Sequence, residues 1–334
     1  MSLLVVGSVA YDSVETAAGK VDRALGGSAT FFSMASALFA PSHVVAVVGE
    51  DFRPGDLERM RHRGIDISGI QSVPGETFRW GGRYSAHFTS RETLFTELNV
   101  FSDFAPQIPA SHAAADLVFL ANIHPALQLD VLRQMRRPRF VAMDTMGFWI
   151  AGEREKLLEV LLQVDALFLN DEEAYQLSGT GNLLQAARRI REMGPQTLVI
   201  KRGEFGSVLF HDGKALTVPA VMLERVVDPT GAGDTFAGGF MGYLACQPQV
   251  DAAALQGAMV TGTLLASFCC EDFSVDALER ADMEAFLTRH DHFRAAAGCL
   301  DLDLPALHAA VERTGLRKTQ HHASVPASGG NPAA

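Results

Sequence analysis

This chain is short of cysteine, of positive charge and of long apolar runs, and each shortage excludes something. Its four cysteines, Cys246, Cys269, Cys270 and Cys299, have no metal-ligand spacing, and Cys269 and Cys270 are adjacent. Reduced thiols in a cytoplasmic setting are the economical expectation, rather than a disulfide framework or a structural zinc site. Lys and Arg number 28 against 39 Asp and Glu, a formal net charge of −11, which argues against generic binding to nucleic acid. A nucleotide substrate stays open, because its phosphates need only local donors. No apolar run reads as long enough to span a bilayer, and no charged-then-apolar leader is visible ahead of a first strand that starts almost at Met1. No membrane partner is therefore expected. No internal repeat is present either.

What the chain does have is 334 residues at 48% hydrophobic, enough for one large α/β core. Apolar strand-like runs at Val44–Val48, Leu117–Ala121, Phe140–Asp144, Ala166–Asn170 and Leu198–Lys201 alternate with helical stretches. The clearest helices are Asp56–Arg63, Glu153–Leu162, Leu183–Met193 and Asp251–Phe268. Such alternation predicts a mostly parallel sheet covered on both faces. Glu76–Asn99 is the exception: Thr77–Thr89 lacks a long apolar run and partly alternates, as exposed antiparallel strands do. Lys318–Ala334 is polar and small-residue-rich and reads as a disordered tail.

The chemistry concentrates in Asp228-Pro-Thr-Gly-Ala-Gly-Asp234-Thr-Phe-Ala-Gly-Gly-Phe240. Gly231, Ala232 and Gly233 leave their backbone N–H groups approachable, at the start of a helix through Phe236, Phe240 and Leu244. A helix N-terminus with unpaired donors stabilises anionic oxygens. Asp234, on the same turn, is placed to take a proton from a hydroxyl attacking a bound phosphate. An anion cradle and a base within one turn point to phosphoryl transfer to an alcohol; the plainer reading is Gly packing beside an ordinary first-turn acid.

Three further segments carry candidates. Leu3–Val9 reads as a buried strand with Asp12 just past its end, and Gly26-Gly27 allows close backbone approach before a helix through Met34, Leu38 and Phe39. Val164–Asn170 reads as a strand and Asp171–Leu177 as the helix that follows, with Asn170 and Glu173 at the junction. Mg²⁺ prefers oxygen ligands and keeps several waters, so a carboxylate near a strand end suits it; an acidic helix start complementing the dipole is the alternative. Thr197–Gly203, Gly206 and Val208–Phe210 read as strand, glycine turn, strand. Lys201 there is either a phosphate contact or a strand-end surface charge.

The Asp228–Phe236 segment closely resembles the C-terminal signature of the pfkB carbohydrate kinase family, the ribokinase-like kinases. Leu25–Ser33 resembles the same family's paired-glycine segment, and Asn170 with Glu173 its Asn-x-x-Glu motif. The resemblance covers roughly residues 1–300. It implies a three-layer αβα sandwich with a mostly parallel central sheet and a small β lid, inserted at about 11–25 and 76–102, followed by a helix at 301–317 and the tail at 318–334. It also implies Asp234 as catalytic base, with Gly231, Ala232 and Gly233 as the anion hole. Asp12, Gly26, Gly27, Ser28, Phe31 and Asp144 would line the acceptor site. Asn170, Lys201, Gly203, Gly206, Thr230 and Gly233 would serve the nucleotide, with Glu173 and Asn170 holding magnesium through water.

ATP and Mg²⁺ are the implied cofactors. Many relatives also bind a monovalent cation, K⁺, through the segment matching Ala266–Ser274. The implied activity is transfer of the γ-phosphate to a sugar, polyol or nucleoside, and lid sheets of this family often pair into homodimers. The chain departs from the pattern at two places. The family's usual Asn beyond the paired glycines falls on Thr30 or Phe31, and the family's Asp-x-Asn has Met146 where Asn is expected. An aromatic face near Phe31 or Phe32 would suit a nucleoside or cyclitol better than a plain furanose, unless both rings are core. Two alternatives remain: a sugar-phosphate kinase whose lid arginines Arg79, Arg83 and Arg91 clamp the substrate phosphate, and a catalytically silent sensor of the same fold.

Overall fold

The computed structural model describes residues 1–298. The expected helix at 301–317, the tail and Cys299 lie outside the described residues. Residues Met1–Arg294 form one compact unit.

The strands are β1 (Leu3–Val6), β2 (Ala10–Thr16), β3 (Gly19–Gly26), β4 (Ser42–Gly49), β5 (Ile65–Val73), β6 (Arg79–Tyr84), β7 (Arg91–Glu97), β8 (Leu117–Leu120), β9 (Phe140–Asp144), β10 (Ala166–Asn170), β11 (Thr197–Lys201), β12 (Ser207–His211) and β13 (Lys214–Val218). The helices are α1 (Ser28–Ser36), α2 (Pro54–His62), α3 (Pro125–Gln134), α4 (Gly147–Gly152), α5 (Arg154–Leu161), α6 (Asp171–Ser178), α7 (Leu183–Arg191), α8 (Ala232–Ala245), α9 (Ala252–Cys269), α10 (Asp276–Arg280) and α11 (Met283–Ala297).

Nine strands make the main sheet in the order β13-β12-β11-β10-β9-β8-β1-β4-β5. All neighbours pair in parallel except β11–β12 and β12–β13, which are antiparallel at one edge. Alternate residues of β1 explain the layers. Leu3 and Val5 enter one core with Phe32, Phe240 and Leu264, while Leu4 and Val6 enter the other with Leu157, Leu177 and Ile190. A strand buried on both faces has no polar alternation to keep, so it reads as a continuous apolar run. The result is the expected three-layer α/β sandwich.

The second sheet has four strands in the order β3-β2-β6-β7, on the segments expected to form the lid, with the first extended by a residue at each end, to Ala10 and Gly26. Its two halves are joined through the parallel pair β2–β6, so this sheet is built from segments separated by α1, β4, α2 and β5. Two sequence expectations change. The helix after Gly27 ends at Ser36 with Ala37 as its cap, so Leu38 and Phe39 lie in the turn that follows. The other change is α9, which is long and apolar enough by composition to cross a bilayer, contrary to the expectation of no such run. It is two-thirds buried and packs on α8, where Gly262 lies against Phe236 and Gly239 against Leu265. It is a core helix of this fold.

Candidate active site

Parallel strands that end together leave a shared edge where loops can converge, and open α/β sheets bind ligands there. Asp144 ends β9, Asn170 ends β10, Lys201 ends β11, and α8 starts beside them.

Gly231 caps α8 with φ 74°, a left-handed conformation that favours glycine. A Cβ here would lie 2.3 Å from the Phe31 ring. Phe31 itself is 1% exposed and Phe32 fully buried, with Phe32 stacked on Phe119 at 4.4 Å. The expectation of an aromatic acceptor wall gives way to the core alternative: every residue of α1 is buried, and Phe31 packs beneath the turn at Gly231. Ala232 N donates to Pro229 O at 3.1 Å, closing the turn, so this amide is engaged within the loop.

Lys201 and Asp144 were expected in different subsites, and they form one pair. Lys201 Nζ lies 2.8 Å from Asp144 Oδ2, while Thr145 N donates to Asp144 Oδ1 at 2.8 Å. With both oxygens engaged and only 5% exposure, Asp144 orients the lysine and is not an open acceptor wall. The ammonium sits 3.0 Å from where a Cβ on Gly233 would be, beside the anion loop. Burial disfavours its charge, but Asp144, Glu173 and Asp234 outweigh that and hold its pKa up.

The carboxyls crowd. Burial, then Asp144, pushes Asp234 up to about 7 against the lowering by Lys201. Burial, then Asp144, pushes Glu173 up to about 7. Asp12 is also raised to about 7, by burial first and then by Asp228 and Asp234, with a hydrogen bond from the Gly27 amide opposing. Perturbed carboxyls gathered at a strand edge mark a candidate catalytic site.

Asp12 lies within the lid strand β2, and a Cβ on Gly26 would fall 2.1 Å from its Oδ2. Gly27, at φ 96°, would clash with Ser8 O at 2.5 Å. The glycine pair thus lets the carboxyl and the backbone close together. Ser28 is corrected from acceptor ligand to brace: its Oγ accepts from Ser8 N at 3.2 Å and meets Ser8 Oγ at 3.1 Å.

Asn170 and Glu173 form a reciprocal capping box at α6, with Glu173 N donating to Asn170 Oδ1 at 2.8 Å and Asn170 N to Glu173 Oε2 at 2.9 Å. One Glu173 oxygen and the Asn170 amide nitrogen stay outside that box. Three carboxyls facing a single lysine, the buried Asp144 and the partly exposed Glu173 and Asp234, are an oxygen-rich, negatively charged donor set, and this suits Mg²⁺. A second cluster with metal-ligand chemistry, His43, Asp66 and His112, lies at the opposite strand ends. Its imidazoles stack at 4.2 Å and 29°, so their in-plane lone pairs run side by side. Both rings hydrogen-bond Asp66 Oδ2, at 3.1 and 3.0 Å, which accounts for the cluster without an ion.

Gly203 is exposed with nothing near its Cβ position, whereas a Cβ on Gly206 would meet Val218 O at 2.1 Å. Gly206 is corrected to a packing residue of the β11–β12 turn. Thr230, expected at the nucleotide, donates its hydroxyl to Tyr84 OH of the lid at 3.1 Å. In the segment expected to serve a monovalent cation, Cys270 O already accepts from Val227 N at 2.8 Å. Arg79 pairs with Glu97 at 3.2 Å and Arg83 with Glu15 at 3.2 Å, so two of the three arginines of the phosphate clamp are engaged within the lid.

Sequence reasoning missed Asn122, Gln128 and Tyr84. Asn122 Oδ1 accepts from Trp149 Nε1 at 2.9 Å, and its Nδ2 meets Met146 Sδ at 3.1 Å. It brings an amide to the spot where Met146 replaces the family's Asn. Its only signal was being the first polar residue after the β8 run. Gln128, 1% exposed, donates to Ala121 O at 3.0 Å and Asp144 O at 3.2 Å, tying the ends of β8 and β9 together.

Comparison with known proteins gives the family and the fold. Residues 2–278 match the description pfkB family carbohydrate kinase. The cytidine kinase of Thermococcus kodakarensis is 32% identical over 256 residues, covering 74% of this chain and 90% of that protein. The 2-dehydro-3-deoxygluconokinase of Thermoproteus tenax is 31% identical over 260 residues, covering 71% and 79%. Among solved structures, the Methanocaldococcus jannaschii nucleoside kinase superposes with a TM-score of 0.69 at 20% identity, covering 87% of this chain and 98% of that one. Arabidopsis thaliana ribokinase, solved with ribose and ATP, gives 0.69 at 19% identity, covering 86% and 98%. The two structures share the fold.

Proposed function

The chain belongs to the pfkB family of carbohydrate kinases, and from that premise we propose that it transfers the γ-phosphate of ATP to a hydroxyl of a neutral acceptor, a nucleoside foremost, with Asp234 as general base. The observation that carries the reading is Asp234 in the first turn of α8, its carboxyl raised to about 7 beside the Lys201–Asp144 pair. A base with a pKa near the working pH combines a useful deprotonated fraction with real basicity.

In this reading Asp12 and the Gly26-Gly27 backbone hold the acceptor. Its hydroxyl oxygen bonds to the γ-phosphorus as the bond from phosphorus to the β–γ bridging oxygen breaks, and its proton passes to Asp234. Lys201 and the loop amides outside the Pro229–Ala232 turn stabilise the charge spread over the transferred oxygens. Mg²⁺, when bound, neutralises donor phosphate charge, and Glu173 with Asn170 would hold it through its waters.

Two observations support a neutral acceptor. Arg79 and Arg83 are engaged with lid carboxylates, leaving Arg91, which acts on Tyr84 and Glu173, as the one clamp arginine outside those pairs for a sugar acid or sugar phosphate. The T. kodakarensis relative, matched over 90% of its own length, is a cytidine kinase. The test is ADP release with Mg-ATP across nucleosides, pentoses, cyclitols, 2-dehydro-3-deoxygluconate and sugar phosphates. The highest kcat/KM is expected on a nucleoside. A sugar acid or sugar phosphate turning over best overturns the neutral-acceptor reading.

A further inference from the structure

The lid touches the catalytic loop at two strand ends. Thr16, which ends β2, donates its hydroxyl to Val227 O at 2.8 Å. Tyr84, which ends the parallel neighbour β6, accepts from Thr230 Oγ1 at 3.1 Å. The root of the lid is held quite differently, by Asp51 to the Thr77 amide at 2.7 Å and by Tyr11 to Asp56 at 3.1 Å. The 227–230 loop therefore receives the far end of the lid.

Thr230 is well placed to pass that contact on, since Gly231 follows it directly. Its amide donates to Asp228 Oδ1 at 2.9 Å and its carbonyl accepts from Cys269 Sγ at 3.3 Å. With backbone donor and acceptor both fixed, its hydroxyl is the group left to report on the lid. Burial, reinforced by Asp228, raises the Tyr84 phenol pKa against the lowering by Thr230 and Arg91, so the phenol keeps its proton around neutrality.

We propose that Tyr84, docked on Thr230 and seconded by Thr16 on Val227, is a latch residue that holds the lid shut and thereby sets the anion loop for transfer to the acceptor instead of to water. The inference rests on the kinase reading for its catalytic consequence and on geometry alone for the latch. With the latch made, the acceptor oxygen bonds to the γ-phosphorus, ADP leaves and Asp234 takes the acceptor's proton. With it broken, a water oxygen takes the acceptor's place, and the products are ADP and inorganic phosphate. Tyr84 acts through the loop and is a positioning residue.

Three full-length variants test this: Tyr84→Phe, Thr230→Val and the double variant, with Thr16→Val as a second break should Thr230→Val fail to fold. The first readout needs no substrate. Amide hydrogen exchange over 79–97 is expected to quicken roughly three- to tenfold in Tyr84→Phe, the range for loss of one neutral hydrogen bond. The double variant should exchange no faster than either single one. The second readout, in Mg-ATP with the best acceptor, is the ratio of inorganic phosphate to phosphorylated acceptor, which should rise in both single variants. Unchanged exchange in Tyr84→Phe, or additive effects in the double variant, overturns the latch even in a fully active kinase. Absence of transfer to any acceptor counts against the kinase reading alone, because exchange still decides the latch.

Discussion

Replacing Asp234 with Asn should slow the enzyme and stabilise the protein at once, and the two effects share one cause. In the folded chain the carboxyl rises from its ordinary 3.8 to about 7, mainly through burial. Between those values the folded protein binds more protons than the unfolded one, so its stability falls as pH rises from about 4 through about 7. At ~1.4 kcal/mol per pH unit the full penalty above pH 7 is about 4 kcal/mol. Asp144, Glu173 and Lys201 share that field, and partial exposure screens it, so we expect Asp234→Asn to recover about 1–2 kcal/mol at pH 8. At about 1–3 °C per kcal/mol for a domain of this size, the Tm should rise by about 1–6 °C. At pH 5 the unfolded carboxyl is already ionised while the folded one is protonated, so a little over a third of the gain should remain, and it should reach near zero only at about pH 4 and below. The amide cannot take the acceptor's proton, so kcat should fall by about 10²–10⁴-fold. Thermal melts from pH 5 to 8, paired with ADP-release kinetics, check both. A Tm difference that does not grow with pH would refute the burial argument, and near-normal kcat would remove Asp234 as base.

Lys201→Met removes the cation that holds the Asp234 and Glu173 carboxyls down, so the acid limb of the pH–kcat profile should move to higher pH. An unmoved limb would mean that neither carboxyl governs it. The same change leaves Asp144 buried without its partner and should lower stability by about 3–5 kcal/mol, read by urea melts. Gly231→Ala places a methyl 2.3 Å from the Phe31 ring at φ 74°. The left-handed backbone costs about 1–2 kcal/mol and the overpacking about 1–3, so a lower Tm should accompany loss of activity, and an unchanged Tm would contradict the packing.

The main strands and the Gly231–Asp234 loop were legible because their signals are contiguous. A strand buried on both faces is an uninterrupted apolar run, and the loop's glycines, carboxylate and helix start sit side by side. The pairings across the chain were not legible. Asp144 and Lys201 are 57 residues apart, and Thr230 and Tyr84 are 146 apart. Each of the four has an ordinary local role that fits its own segment; the parallel register of β9, β10 and β11 brings the first pair together, and contact between the end of β6 and the loop before α8 brings the second. Phe31 escaped for another reason. Every residue of α1 is buried, so no polar stripe marks which face meets a ligand, and an aromatic at a motif position looks the same as core or as pocket. Asn122 was hidden by rank: a single polar residue ending a short apolar run resembles any strand terminus.

The address of Asp12 has a kinetic consequence. This carboxyl stands on β2 of the lid sheet and Gly26 ends β3 of the same sheet, while Gly27 caps α1 of the main body. Should the flap swing away, Asp12 and Gly26 would leave with the lid sheet and Gly27 would stay with α1, so a grip shared among the three would be divided between two separating bodies. An open enzyme would then hold its acceptor poorly, and firm capture and closing would be a single event driven by the acceptor's own hydroxyls. The acceptor should therefore bind before the nucleotide in the productive sequence. Molecules lacking the right hydroxyl pattern would leave the flap open and pass by, so selection would be exercised in the order of arrival as much as in the fit of the closed pocket.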